Sequence, residues 1–256
     1  MHVACCQMDI AWEDKPANYR QVEVLLSATP LPAGTLLLLP EMFATGFTMN
    51  AGAVAEPIDG PTSRFLAELA RRYGIFVQAG VVIGTGSAAH PRNETLVFAP
   101  DGRLLARYAK IHLFSFAGEQ EHYTPGEEIV SFAWSETGVA PCICYDLRFP
   151  ELFRAAVARG AEVVSAIACW PAAREAHWRA LLRARAIENQ CYVTAVNRCG
   201  CDPSGTAYSG GSRIVDPGGA ILADAGQHEG VIQATLGLES LRSYRREFPA
   251  LRDRRL

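Results

Sequence analysis

Residues 141–151 read Pro-Cys-Ile-Cys-Tyr-Asp-Leu-Arg-Phe-Pro-Glu, which sets Cys144 where an apolar run meets a helix start. The run 139–145 reads as a strand, and Pro150, near the first turn of the next segment, opens a helix that Gly160 stops. A thiol at a strand end, close to the positive end of a helix, is expected to be partly ionised near neutral pH, and the thiolate is the attacking species. Cys144 is therefore read as a nucleophile. A buried, inert thiol is the competing reading for any single cysteine, so the assignment depends on what the rest of the chain supplies.

Outward from this stretch, short apolar runs alternate with helical patterns to both ends, without an internal repeat or a low-complexity linker. Strands are expected at 3–8, 35–39, 75–83, 93–99, 103–109, 129–133, 162–168, 190–196, 211–216, 220–224 and 231–236. Pro100-Asp101-Gly102 and Pro217-Gly218-Gly219 read as hairpin turns. Helices are expected at 18–27, 61–73, 150–160 and 175–188. In the second, Pro61 stands at the first helical position, Phe65, Leu66, Leu69 and Tyr73 follow at helical spacing, and Gly74 ends it. Arg185 interrupts the apolar stripe of the last helix, either as a snorkelling side chain with a solvated head or as a salt bridge in a subunit contact. The charged stretch 242–256 reads as exposed. Two stacked sheets with helices outside accommodate these elements, an α/β arrangement whose strand order the pattern leaves open.

The chain has 256 residues, 49% hydrophobic and 20% charged, enough for one extended α/β core, and a single domain over 1–256 is expected. The formal net charge is -3 with no block of like charges, which argues against nucleic-acid or polybasic membrane binding and leaves a small neutral or anionic substrate. The N-terminus lacks the basic region and apolar core of a signal peptide, and no apolar run approaches the roughly 18 residues of a membrane span, so a cytoplasmic protein is expected. There its eight cysteines stay reduced. Cys142-x-Cys144 and Cys199-x-Cys201 fall short of the usual two to four intervening residues of a structural zinc site. Alternation along a strand also turns the first pair to opposite faces, so no metal or cofactor is expected.

Glu41 follows the apolar strand 35–39 and Pro40, at a carboxyl end where α/β sheets place ligands. Lys110, in Tyr-Ala-Lys-Ile-His-Leu-Phe, likewise ends a strand. Alone, Glu41 reads as a loop carboxylate and Lys110 as an edge-strand gatekeeper. Together with Cys144, each at the carboxyl end of a different strand, they supply what amide hydrolysis needs. Glu41 takes the thiol proton if burial raises its pKa. Lys110 and the backbone N–H of Tyr145 stabilise the oxyanion, ammonia leaves, and water releases the acid from a thioester.

Leu-Leu-Leu-Leu-Pro-Glu-Met-Phe-Ala-Thr-Gly-Phe at 36–47, the lysine segment at 108–114 and Cys-Ile-Cys-Tyr-Asp-Leu-Arg-Phe-Pro-Glu at 142–151 resemble the nitrilase superfamily of carbon–nitrogen hydrolases over nearly the whole chain. The resemblance implies a four-layer αββα sandwich and a Glu41, Lys110, Cys144 triad. It also implies a second glutamate, Glu119, that positions Lys110; Glu121 is the rival, and an exposed loop carboxylate is the alternative for either. The Cys-Tyr-Asp-Leu-Arg-Phe-Pro block and Arg-Ala-Arg-Ala-Ile-Glu-Asn-Gln at 183–190 look most like the omega-amidase branch, whose members hydrolyse the terminal amide of 2-oxoglutaramate and 2-oxosuccinamate. Deaminated-glutathione amidase, N-carbamoyl amidase and nitrilase activities share the chemistry, and a non-catalytic binding protein on the same fold is the reading of another class. Relatives often carry Asn-Trp-Pro where this chain has Cys169-Trp170-Pro171, a departure that bears on substrate identity. Arg148 is a candidate for attracting an anionic substrate, with pairing to Asp146 or Glu151 as the alternative. Trp170 is a candidate pocket wall or simple packing, and His112 reads as a hydrogen-bonded structural histidine. The resemblance further implies a homodimer or higher homo-oligomer, with contacts through the helices near 150–160 and 175–188.

Overall fold

The computed structural model describes residues 1–84, 86 and 90–255. The first half runs β1 (His2–Gln7), α1 (Lys15–Ser27), β2 (Leu36–Leu38), α2 (Ala51–Val54), α3 (Pro61–Tyr73), β3 (Phe76–Ile83), β4 (Arg92–Phe98) and β5 (Leu104–Ala109). The second half begins with β6 (Phe132–Trp134), β7 (Thr137–Ile143), α4 (Pro150–Ala158) and β8 (Ala161–Ala168). It continues through α5 (Glu175–Asn189), β9 (Tyr192–Asn197), β10 (Cys199–Cys201) and β11 (Ala207–Ser209). The chain closes with β12 (Arg213–Val215), β13 (Ile221–Asp224), β14 (Gly230–Thr235) and α6 (Leu238–Glu247).

Among the described residues these strands form two six-stranded sheets, ordered β14-β1-β2-β3-β4-β5 and β13-β12-β9-β8-β7-β6, with β10 and β11 as a separate ribbon. Each sheet has a parallel centre, β1-β2-β3 in one and β7-β8-β9 in the other, flanked by antiparallel strands. Period-2 alternation builds the layers. On the first sheet Ala4, Cys6 and Leu37 pack with Val22 of α1 and Leu66 and Leu69 of α3. The alternate positions Val3, Cys5, Leu36 and Leu38 join the cluster that holds the second sheet and helices α4 and α5. The result is a four-layer αββα sandwich. Each fully buried aliphatic side chain in these layers contributes about 1.5–3 kcal/mol.

Local signals set the helix ends. Pro61 opens α3, and Gly74, in the left-handed region at φ 64°, receives the end of the helix with its N–H bonded to Ala70 and Arg71 carbonyls. Where expectation and structure differ, long-range contacts decide. The run 129–133 forms a strand only from Phe132, and the strand expected to reach residue 145 stops at Ile143, because Cys144 adopts φ 46° and turns the chain. The stretch 242–256 is not simply exposed: Ser243, Tyr244 and Arg245 are half-buried in α6, and Arg242 pairs with Glu162 at 2.9 Å. Residue 256 of that stretch lies outside the described residues. Arg185 is buried rather than snorkelling, donating Nε to the Leu147 carbonyl at 3.1 Å and pairing with Glu188 at 2.9 Å.

The topology fixes where chemistry gathers. Because β4 is antiparallel to both β3 and β5, strands β2, β3 and β5 share one direction and their carboxyl ends lie along one edge. Strands β7 and β8 end together in the second sheet.

Candidate active site

Glu41 follows β2, Lys110 follows β5, and Cys144 and Cys169 follow β7 and β8, so one sheet supplies the carboxylate and the ammonium and the other supplies the thiols. Two backbone devices bring them close. A Cβ at position 80 would lie 2.4 Å from Met42 N and 2.6 Å from Glu41 Cα, so glycine at this point of β3 lets the chain carrying Glu41 cross tightly against the strand. Cys144 holds a left-handed backbone at φ 46°, a strain on the order of 1–3 kcal/mol for a residue with a side chain.

Asp146 holds that turn. Its carboxylate accepts hydrogen bonds from Tyr108 Oη at 2.7 Å, Ile143 N at 3.0 Å and His112 N at 3.0 Å, and meets His112 Nδ1 at 2.8 Å. The His112 ring stacks on Phe149 with centroids 3.7 Å apart. Asp146 is therefore engaged by Tyr108 and His112, and Arg148 pairs with neither Asp146 nor Glu151.

Glu41, Lys110 and Glu119 are essentially fully buried. Lys110 Nζ donates to Glu41 Oε1 at 2.8 Å and to Glu119 Oε2 and Oε1 at 2.9 and 3.1 Å. Asn93, at the start of β4, donates Nδ2 to Glu41 Oε1 at 2.7 Å and to Glu119 Oε1 at 3.0 Å. The remaining Glu41 oxygen accepts the Cys169 N–H at 2.8 Å, and Glu119 Oε2 accepts the Phe114 N–H at 2.6 Å. Glu119 thus stands inside the cluster while Glu121 is exposed.

Burial alone would lower the Lys110 pKa, but Glu119 and Glu41 on either side outweigh it and hold the ammonium well above the usual lysine range. Burial pushes the Cys144 thiol well above its ordinary value and the Glu41 charge raises it further, against a smaller opposing pull from Lys110. The expectation of a partly ionised thiol is corrected here. The two carboxylates and one ammonium already leave the cluster with a formal surplus of negative charge, and a thiolate would add to it.

Cys144 opens into a cavity of about 470 Å³ that Lys110, Tyr145, Arg148, Trp170 and Arg174 also line. Arg148 lies over the Trp170 ring at 4.8 Å and the Tyr145 ring at 5.8 Å. The Trp170 backbone is clamped by Asn197, whose Oδ1 accepts its N–H at 2.7 Å and whose Nδ2 donates to its carbonyl at 3.1 Å. Cys169 lines the same cavity and donates its thiol to the Glu41 carbonyl at 3.1 Å. The Tyr145 N–H is at the second position of the 3₁₀ turn Cys144–Arg148, where no acceptor lies within the turn. Among the described residues no three His, Cys, Asp or Glu side chains group as a metal site, and no helix is long and apolar enough to cross a membrane.

Sequence reasoning missed Asn93, Asp146 in its actual partnership, and Arg174. Asn93 stands among Arg92, Glu94 and Thr95 in the polar half of β4 and carries no local signal that sets it apart.

A thiol beside a buried carboxylate–ammonium cluster, on an αββα sandwich, brings together the groups that hydrolysis of a carbon–nitrogen bond calls for. The family model described as carbon-nitrogen hydrolase matches residues 2–246, and the chain belongs to that family, within the nitrilase superfamily. It is 40% identical over 248 residues to the omega-amidase YafV of Yersinia enterocolitica, covering 96% of this chain and 94% of that protein. It is 32% identical over 253 residues to the 2-oxoglutaramate amidase of Bacillus subtilis, covering 98% and 96%. The solved structure of XC1258 from Xanthomonas campestris, a CN-hydrolase superfamily protein with an arsenic adduct in its active site, aligns with a TM-score of 0.94. That alignment has 35% identity and covers 100% of this chain and 97% of the other.

Proposed function

We propose that this carbon–nitrogen hydrolase is an omega-amidase, releasing ammonia from the terminal amide of a small 2-oxo dicarboxylic acid monoamide of the 2-oxoglutaramate kind. The observation that carries the reading is the Glu41–Lys110 pair set behind a cavity that Lys110 and Cys144 line and that also presents Arg148 over Trp170. The names of the Yersinia and Bacillus relatives support the substrate class.

The neutral thiol dictates the first step. As Cys144 Sγ bonds to the amide carbon, its proton passes to Glu41, so no free thiolate accumulates in the buried site. Negative charge moves to the carbonyl oxygen, where Lys110 and the Tyr145 N–H donate; each well-placed donor is worth about 3–4 kcal/mol. Glu41 returns the proton to the leaving nitrogen, ammonia departs, and a thioester remains. Water, deprotonated by Glu41, attacks the thioester; the carboxylic acid leaves and Cys144 regains its proton. Glu119 and Asn93 act by positioning Lys110 and Glu41. No metal or cofactor enters these steps.

Released ammonia measured across a panel of 2-oxoglutaramate, 2-oxosuccinamate, deaminated glutathione and N-carbamoyl amides tests the proposal. Preferred turnover of the 2-oxo acid amides is expected; no turnover of 2-oxoglutaramate with rapid turnover of another amide overturns it. Activity lost to a chelator and restored by zinc would overturn the cofactor-free mechanism. We further propose one domain over 1–256, working in the cytoplasm as a homodimer or larger homo-oligomer through the α4–α5 side. Ile187 of α5 is 45% exposed, apolar area on that side suited to a second copy. Light scattering at micromolar concentration tests it, and a monomer overturns it.

A further inference from the structure

The cavity holds two guanidinium groups with different surroundings. Arg148 Nη2 lies 3.2 Å from His177 Nδ1, and its plane rests on Trp170 and Tyr145. Arg174 rests over the rings of Phe116 at 4.8 Å and Phe114 at 5.5 Å. The hydrogen bond made by this residue uses its carbonyl, which accepts Trp170 Nε1 at 2.8 Å. Among the described residues its guanidinium has neither an ion-pair partner nor a hydrogen-bond acceptor. Aromatic faces hold the cation in place without using its N–H donors.

Its place in the fold adds to this. Arg174 immediately precedes the fifteen-residue α5, a helix start without a side-chain cap, and Ala173 beside it also lines the cavity. The planar N–H fork is thus presented at the cavity wall, a geometry matched to a carboxylate. Phe116, 80% exposed, marks the rim.

We infer that Arg174 binds the carboxylate at the end of the substrate remote from the scissile amide, and so sets the preference for acidic over uncharged amides. This rests on the amidase reading above. Arg148, already facing His177 and sandwiched by aromatic rings, contributes positive field and wall.

The experiment compares the wild-type enzyme with Arg174→Met, which keeps an apolar stem on the two phenylalanines, and Arg174→Lys, which keeps charge without the fork. Two readouts are used: KM and kcat for 2-oxoglutaramate and for uncharged pentanamide, and protection of Cys144 from iodoacetamide by 2-oxoglutarate. Arg174→Met is expected to raise KM for 2-oxoglutaramate about 10- to 100-fold and weaken protection by a similar factor, with kcat and the pentanamide constants little changed; Arg174→Lys falls between. Equal effects on the charged and uncharged amides, or unchanged protection, overturn the assignment. If the wild type turns over no 2-oxo acid amide yet 2-oxoglutarate protects Cys144 through Arg174, the proposed reaction falls while the carboxylate site stands.

Discussion

Asn93 Nδ2 donates to Glu41 Oε1 at 2.7 Å, and the same nitrogen donates to Glu119 Oε1 at 3.0 Å. Two like charges thereby share a neutral donor as well as the Lys110 ammonium, which is how both carboxylates stay buried side by side. Asn93→Leu removes that donor at similar volume. It is expected to cost about 1–3 kcal/mol in denaturant unfolding and to lower kcat at least about tenfold. Unchanged kcat in a folded variant would show that Lys110 alone orders the pair.

Glu41→Gln keeps the shape of the side chain and removes the proposed base. The expected loss in kcat is on the order of 10²- to 10⁴-fold, the usual reach of a positioned general base. Fluorescence and thermal unfolding check that the fold persists, and ammonia release at or near the wild-type rate would remove Glu41 from the proton path.

The burial of Cys144 predicts its alkylation profile. With the thiol pKa held well above the ordinary range, the iodoacetamide rate should keep climbing with pH beyond about 8.5, the usual inflection for a free cysteine. In Glu41→Gln the profile shifts to lower pH, since one of the charges raising the pKa is gone. A plateau below pH 8 in the wild type would contradict the neutral-thiol mechanism.

Alkali should unfold the protein for a related reason. Burial pushes the thiols of Cys5 and Cys191 up from 9.0 to about 12. Their protons stay on in the folded state while the unfolded chain releases them. The stabilising contribution is therefore complete below about pH 9 and declines as pH rises towards about 12, by up to about 1.4 kcal/mol per pH unit for each such thiol. Urea unfolding at pH 8, 9 and 10 measures this, and Cys5→Ser should flatten the decline. A stability that is level between pH 8 and 10 would refute it.

Gly80→Ala tests how Glu41 is placed. The added methyl would sit 2.4 Å from Met42 N, closer than backbone atoms tolerate, so the segment must shift. The expected result is a destabilisation of about 1–3 kcal/mol with a disproportionate fall in kcat; a fall in neither would show that the segment yields freely.

Elements with strong end signals were legible from composition and spacing: Pro61 and Gly74 delimit α3 as expected, and the turns at Gly102 and Gly219 join antiparallel strands. The three motifs also led to the cluster, because each chemical group sits at a strand's carboxyl end. What the chain alone left hidden depends on partners distant in sequence. Asn93 is an ordinary strand residue until β4 is set beside the Glu41 crossing. The stop at Ile143 comes from the left-handed turn at Cys144, which Asp146 pins through Tyr108 and His112. Arg245 and Arg242 looked like a solvated tail, yet they bond to the Gln190 carbonyl and to Glu162 across α6. The ribbon of β10 and β11 has three residues a side around Gly200 and carries too little periodicity to announce itself.

The division of the site between the two sheets has a bearing on how the chain comes to life. Glu41 and Lys110 are borne by the sheet built from the first half of the chain, whereas Cys144 and Cys169 belong to the sheet built from the second. During synthesis the strands β1 to β5 emerge before Cys144, and their sheet lacks its edge strand β14 until the end. A chain caught halfway holds Glu41 and Lys110 without Cys144, and so lacks the proposed nucleophile. The proposed site needs both sheets in contact, so activity regained during refolding is expected to report the docking of the sheets rather than the formation of either one.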